Sequence, residues 1–275
     1  MPELAEVEFY RKRWALAATG QRITRVALHP DKRPVRHIDV SAAEEALTGE
    51  KLVSSEAAAK QMLFRFGKDA ALGVHLGMTG ELFVAAPNFS PGKHDHLVLF
   101  TGRQALVFRD PRMFGRIEFH RGKETPPWWS RIAPAVLSAA FTREAVAAFL
   151  RRRARSPIKA VLLMQERFPG IGNWMADEIL WRSAVHPARR AGSLSTTEVT
   201  MLWRQCRTVA RQALAAIAGR GNALPGDLNV GIPRSWLFLH RWSDGGRCPR
   251  TGVLLRRATI GGRTSCWSPA RQKLP

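Results

Sequence analysis

The sequence predicts an α+β protein in which a β-rich part precedes a helical part. Three observations carry that expectation. Short β-prone runs separated by turn residues occupy residues 23–120, helical patterns with capping signals follow from about residue 142, and an alternating stretch closes the chain. The first element reads as a helix from about Pro2 to Ala17, with Leu4, Val7, Phe9 and Trp14 giving it one largely apolar side and Gly20 stopping it. The β-prone runs are Ile23–His29, Gln61–Phe66, Leu72–Leu76, Glu81–Ala85, His96–Thr101, Ala105–Arg109 and Arg116–His120, parted by turns such as Gly67-Lys68-Asp69 and Pro91-Gly92. Residues 1–131 therefore read as an N-terminal antiparallel β-sandwich domain with flanking helices.

Residues 132–142, which begin Ile132-Ala133-Pro134-Ala135, read as a linker. Thr142 can cap a helix to about Arg153, and Ser156-Pro157 can start another to about Arg167. The loop Pro169-Gly170-Ile171-Gly172 leads into a helix from about Asn173 to Val185. The capping box Ser195-Thr196-Thr197-Glu198 opens a long helix that ends near Gly219. On it, Arg204, Arg207 and Arg211 form a basic stripe, whose default reading is a solvated face. A Gly-, Pro- and Asn-rich loop over 220–235 ends this helical domain, 143–235. In the last part, 236–275, the runs Val253–Thr259 and Arg263–Trp267 flank Gly261-Gly262 and read as a β-hairpin.

The 275 residues carry 43 Lys+Arg against 22 Asp+Glu, a net charge of +21. An excess this large points to a polyanionic partner, either nucleic acid or an anionic membrane surface. No apolar run reaches transmembrane length, and the start is acidic where a signal peptide is basic, so a membrane partner is not expected. The three cysteines, Cys206, Cys248 and Cys266, form no C-x-x-C pair. Neither a disulfide framework nor a cysteine-rich zinc site is supported, and an intracellular, reducing location fits.

The chemistry-bearing residues begin at the first six, Met1-Pro2-Glu3-Leu4-Ala5-Glu6. Removal of Met1, favoured by a small second residue, leaves a secondary amine on Pro2. Such an amine can attack an aldehyde-like carbon to give an iminium. Glu3 adjoins it and Glu6 lies a helical turn on, so carboxylates are placed to move protons. On these residues alone, a proline that merely starts a helix is the simpler reading.

Four further segments change the balance: His75-Leu76-Gly77-Met78-Thr79-Gly80, Lys93-His94-Asp95-His96, Asp110-Pro111-Arg112-Met113-Phe114-Gly115 and Gly170-Ile171-Gly172-Asn173-Trp174-Met175-Ala176-Asp177-Glu178. With the Pro2-Glu3 start, they resemble, in order, the motifs of the formamidopyrimidine-DNA glycosylase and endonuclease VIII family of base-excision repair enzymes. The resemblance runs from residue 2 to about Gln272. It implies a helix-two-turn-helix DNA-binding domain over 143–235. It also implies a bifunctional glycosylase and abasic-site lyase that excises oxidised bases from damaged double-stranded DNA as a monomer, without a cofactor. By resemblance, Pro2 is the nucleophile at C1′, Glu3 the general acid/base, and Glu6 a carboxylate near the nucleophile. Met78, Arg112 and Phe114 match the triad that fills the gap left by an extruded nucleotide. Lys60, His94, Lys159, Asn173 and Arg263 match positions that contact the DNA backbone. A binder of kinked or damaged DNA without catalysis is the alternative.

The resemblance also has two departures. Many members of the family carry a C-terminal zinc finger with two C-x-x-C pairs. Here the four ligand positions read Cys248, Thr251, Ser268 and Arg271, which cannot build a tetrahedral site, so a zincless finger with no metal is expected. Leu254, Ile260 and Trp267 would then hold the hairpin by packing. The loop Gly221–Ser235 does not clearly match the segment that folds over the extruded base in purine-specific members, so the preferred lesion stays open among 8-oxoguanine, formamidopyrimidines and oxidised pyrimidines.

Overall fold

The computed structural model describes residues 2–30 and 32–274; Met1, on whose removal the amine chemistry turns, lies outside the described residues. The chain forms two compact units, Met1–Ile132 with Ala218–Leu224 and Ala133–Ile217 with Pro225–Pro275.

The first unit contains α1 (Leu4–Ala18), β1 (Ile23–Leu28), α2 (Val40–Leu47), β2 (Leu52–Ala58), β3 (Gln61–Phe66), β4 (Ala70–His75), β5 (Glu81–Ala85), β6 (Asp95–Thr101), β7 (Ala105–Arg109), β8 (Arg116–Arg121) and the short α3 (Pro127–Ser130). The strands form two four-stranded sheets, β1-β6-β7-β5 and β2-β3-β4-β8, with every pairing antiparallel. All seven expected runs are strands. Three elements escaped the sequence reading, α2, β2 and the short α3. Asp39 caps α2 by accepting from the Ala42 amide at 3.0 Å. The β2 segment, Leu-Val-Ser-Ser-Glu-Ala-Ala, has almost no β pattern of its own and takes its conformation from pairing with β3.

The first helix begins at Leu4 rather than Pro2, because Glu3 takes the N-cap position with an extended backbone. It packs against β5 of one sheet and β2 and β3 of the other, so it buries more than one face: Ala5, Val7, Phe9, Tyr10, Trp14 and Ala18 are all buried. Trp14 is fully buried, donates its indole N–H to the Phe83 carbonyl at 3.1 Å and lies 5.1 Å from the Phe64 ring. Lys12, also buried, spends its ammonium on the carbonyls of Ala218, Gly219 and Ala223 at 2.8, 3.0 and 3.1 Å. Those bonds hold the returning segment 218–224 against the helix and satisfy carbonyls past a helix end.

The second unit contains α4 (Arg143–Arg152), α5 (Ile158–Leu162), α6 (Asn173–Arg182), α7 (Thr196–Ala213), a π-type turn over Leu214–Ala218, and the hairpin β9 (Arg256–Ile260) and β10 (Arg263–Trp267). Thr142 and Ser195 cap α4 and α7 as their sequences require, the latter through a complete capping box with Glu198. The helix after Pro157 is much shorter than expected, ending at Leu162 because the chain breaks into successive turns through Phe168. Arg207 departs from the solvated-face reading. Its guanidinium donates to the carbonyls of Val136, Leu137 and Ser138 at 2.8–3.1 Å and so fastens residues 136–138 to α7.

Truncating Trp14 to Ala should cost about 3–5 kcal/mol of unfolding free energy, since it removes a large aromatic group from a close-packed site and leaves the Phe83 carbonyl without its indole donor. Urea denaturation of the variant and the parent measures this.

Candidate active site and nucleic-acid interface

At the start of α1 the residue types and the backbone combine into a fixed arrangement. Pro2 precedes the helix, and Glu3 is 2% exposed. The Glu3 amide donates to the Glu6 carboxylate at 3.2 Å, one arm of a capping box, so Glu6 holds the backbone on which Glu3 and Pro2 are mounted. The positive end of the helix faces this point, which disfavours protonation of an amine there and favours a carboxylate. Lys60 is buried beside the β2–β3 turn, where Ala59 adopts a left-handed backbone at φ +56°.

The three wedge candidates are brought together on joined loops, and Asp110 is what joins them. Asp110 is fully buried. One carboxylate oxygen accepts from the Thr79 hydroxyl at 2.8 Å and the Arg112 amide at 3.3 Å, and the other accepts from the Gly115 amide at 2.6 Å. Its own amide donates to the His94 carbonyl at 2.9 Å, and its carbonyl meets His96 Nε2 at 2.8 Å. The Met78 turn, the Arg112–Phe114 loop and the His94 segment are thereby tied to one side chain. Gly77, at φ +63°, lies so close to Phe114 that a Cβ there would collide with the Phe114 main chain. With their backbones fixed, Met78, Arg112 and Phe114 are left exposed, the Phe114 ring 5.0 Å from the Arg112 guanidinium. Exposed Met and Phe on a rigid edge are suited to enter a gap between stacked bases. His75 sits at the base of this edge. Burial, with Arg116 and Lys60 nearby, pushes its pKa down to about 4, and its Nδ1 accepts from the Gly77 amide at 3.1 Å.

In the second unit the loop Pro169–Gly172 is stapled by Gln165, which accepts from the Gly170 amide at 3.0 Å and donates to the Ile171 carbonyl at 2.9 Å. Gly172 is the N-cap of α6, so the amides of its first turn are presented at the end of this loop. Asn173 donates its side-chain amide to the Thr264 carbonyl of β10 at 2.9 Å. One turn on, Asp177 accepts the Cys266 amide of the same strand at 3.0 Å. Four helical residues advance about 6.0 Å and two strand residues about 6.7 Å, so the two bonds match as rungs. Arg263 is exposed at the first position of β10, beside the Gly261-Gly262 turn, and a Cβ on Gly261 would collide with Ala160 of α5.

Lys159, read from the sequence as a backbone-contacting residue, has no exposed surface. Its ammonium donates to the Asn173 carbonyl at 2.7 Å and to Asp177 at 2.5 Å. The second oxygen of Asp177 takes both Nε and Nη2 of buried Arg241, at 3.1 and 2.5 Å. In this geometry Lys159 acts on the α6 loop from within. Neither Asp110, Asp177, Gln165 nor Arg241 stood out in the sequence as a site residue. The available signal was a charged residue placed inside an otherwise apolar helix or a turn-rich loop.

The four positions that would hold a metal in a zinc finger do not fit one. Among the described residues no group of three or more His, Cys, Asp or Glu side chains gathers to hold an ion. The donor set at those positions is one sulfur, two hydroxyls and a guanidinium. Burial pushes the Cys248 thiol up, but its polar surroundings (Thr251, Ser268, the Arg250 backbone and the Trp181 indole, which donates to the sulfur at 3.4 Å) outweigh it and bring the pKa down to about 7. The Arg271 guanidinium lies 5.6 Å from the Trp181 ring. The packing that holds the hairpin also differs from expectation. Leu254 is exposed, and the small core is built from Trp181, Leu237, Cys248 and Cys266, with Leu255 against it. Trp267 packs edge-on against the His186 ring at 5.0 Å, while Ile260 is half-buried.

Two family models match the chain: the formamidopyrimidine-DNA glycosylase N-terminal domain over residues 1–117, and the formamidopyrimidine-DNA glycosylase H2TH domain over residues 132–222. Among full-length relatives, the formamidopyrimidine-DNA glycosylase of Thermomicrobium roseum is 36% identical and that of Laribacter hongkongensis 34%, each alignment covering 99–100% of this chain and 100% of the relative. Among solved structures, wild-type Lactococcus lactis Fpg (MutM) with a DNA containing N7-benzyl-Fapy-dG superposes with a TM-score of 0.86 at 26% identity. That match covers 99% of this chain and 100% of the other. A complex of the LlFpg protein with THF-DNA and an inhibitor gives the same TM-score.

Two expectations follow from the second unit. Asp177→Ala leaves Lys159 and Arg241 buried without their counter-charge and should cost about 3–5 kcal/mol, read by chemical denaturation. For Cys248 the folded state binds fewer protons than the unfolded chain between about pH 7 and the unfolded thiol value of 9.0. Its contribution to stability therefore grows from about pH 7 to 9, is complete above that window and is lost as pH falls through 7. Subtracting the pH–stability profile of Cys248→Ser from that of the parent isolates this rise; a flat difference would contradict it.

Proposed function

The chain belongs to the formamidopyrimidine-DNA glycosylase family, and from that premise we propose that it is a bifunctional DNA glycosylase and abasic-site lyase. It acts on oxidised bases in damaged duplex DNA, in base excision repair, with a metal-free finger. The observation that carries the chemistry is the start of α1: a proline followed by a buried glutamate whose backbone is clamped by Glu6.

In this reading Met1 is removed and the lone pair of the Pro2 nitrogen attacks C1′ of the damaged nucleotide. The C1′–base bond breaks, and the base leaves with the bonding pair and takes up a proton. Opening of the sugar ring at O4′ gives an iminium between Pro2 and C1′, with Glu3 moving the proton to and from the sugar oxygen. Loss of the C2′ proton to a base then expels the 3′ phosphate by β-elimination, and δ-elimination expels the 5′ phosphate. Glu6 keeps the N-cap in place and adds negative charge beside the nucleophile. The lesion reaches this point only if its nucleotide leaves the stack, and Met78, Arg112 and Phe114 occupy the space it vacates. Lys60, His94, Asn173 and Arg263 contact the DNA backbone. Lys159 supports the Asn173 loop from beneath through its bond to the Asn173 carbonyl. These contacts orient the duplex and read no sequence.

Borohydride should trap a covalent protein–DNA adduct on a duplex carrying an abasic site or a single oxidised base, with the adduct mapping to Pro2. Glu3→Gln should bind the duplex like the parent while single-turnover base release falls by about 10²-fold or more. Trapping at an internal lysine, or tight binding with no adduct and no strand cleavage, would favour a silent binder of damaged DNA instead.

A further inference from the structure

Beside the wedge edge of the first unit lies a cleft lined by Arg33, Arg36, His37, His75, Phe114, Gly115 and Arg116. Among the described residues its wall holds three guanidiniums and no carboxylate. Arg33, Arg36 and Arg116 are exposed, and among the described residues Arg116 has an acidic partner, Glu118, which takes its Nε at 2.9 Å. The Arg33 guanidinium lies 5.5 Å from the Phe114 ring centre, on a ring that Arg112 also approaches at 5.0 Å. The backbone that carries these arginines is fixed. Pro34 and Val35 are buried, the Pro34 carbonyl accepts the Ile117 amide of β8 at 2.8 Å, and the Val35 amide donates to the Lys32 carbonyl at 3.0 Å. Arg36 Nε donates to His37 Nε2 at 3.3 Å.

Guanidiniums gathered around one cleft repel one another, and the proteins that hold them together use them for a doubly accepting anion such as a phosphodiester. Their place decides which phosphodiester. A planar ring that enters a base step keeps the sugar–phosphate groups of that step beside it. Phosphates follow one another at about 3.4 Å of axial rise per strand. A guanidinium already against the Phe114 ring is therefore within a side chain's reach of the backbone at the opened step.

We propose that Arg33, Arg36 and Arg116 form a phosphate clamp that grips the DNA backbone at the step into which Phe114 inserts. The proposal rests on the DNA-repair reading above and adds a site separate from Lys60, His94, Asn173 and Arg263. The clamp holds the kinked backbone against the wedge, so the opened step does not re-stack while the damaged nucleotide is outside.

The test uses the full chain and a synthetic duplex with one tetrahydrofuran abasic site. Uncharged methylphosphonate linkages are placed one at a time on either strand around that site. One or two linkages should weaken binding of the parent roughly tenfold each and leave the Arg33→Ala/Arg36→Ala double variant unaffected at those same positions. The double variant should also show a salt dependence shallower by about two phosphates' worth. Its single-turnover cleavage at saturating protein should stay near the parent rate, and Arg33→Lys/Arg36→Lys should recover most of the salt slope. Thermal melting checks that these exposed substitutions leave the fold unchanged. If parent and double variant share one interference pattern and one salt slope, the clamp is refuted while DNA binding stands. If the parent itself binds no duplex, the DNA-repair reading fails, and the clamp with it.

Discussion

A buried carboxylate must have its water replaced by donors, and this protein uses that requirement as its organising device. It does so twice. Asp110 gathers the Thr79 hydroxyl and the Arg112 and Gly115 amides. Asp177 gathers the Lys159 ammonium, the Arg241 guanidinium and the Cys266 amide. Asp110 joins loop segments that lack regular secondary structure, and Asp177 joins α6 to α5 and β10. Exposed side chains can then be held at defined positions on loops. Without Asp110, the wedge edge would be a set of turns with few constraints, and without Asp177 the hairpin would lose a tie to α6.

The same logic accounts for the finger. At the hairpin, this chain uses a small apolar core around Trp181, two matched helix–strand hydrogen bonds, and a Cys248 sulfur that accepts from the Trp181 indole. None of these is strong alone. Together they restrain the hairpin along its length, with Gly261 of its turn against Ala160 of α5 and Arg263 exposed. A metal concentrates the restraint at one point, and its affinity depends on pH and on supply. A distributed set of contacts avoids that dependence at the cost of requiring several residues to agree.

The net charge of +21 is also distributed unevenly in its use. Lys12, Lys159, Arg207 and Arg241 are consumed inside the protein, on carbonyls or a buried carboxylate. Arg33, Arg36, Arg112 and Arg263 remain exposed. Counting basic residues therefore overstates the charge offered to a partner, and a motif lysine is not thereby a surface lysine.

By itself the sequence determined the α+β class, seven of the eight strands of the first unit, the capped helices and the order of the motifs, because each rests on local patterns that neighbouring residues complete. The roles of Pro2, Glu3, Met78, Arg112 and Phe114 came from the family resemblance, and only the structure shows that Met78, Arg112 and Phe114 are exposed. Tertiary structure alone decided the rest. The β2 strand exists because β3 offers it a ladder, and the helix after Pro157 stops early where the chain breaks into successive turns through Phe168. Lys159 is turned inward, and Leu255 rather than Leu254 packs the hairpin. Residues far apart in the chain, such as Asp177 and Cys266, or Thr79 and Asp110, acquire their roles only on meeting. A hydrogen bond between distant residues leaves no periodicity in the sequence, so its partners become visible only when the fold brings them within about 3 Å.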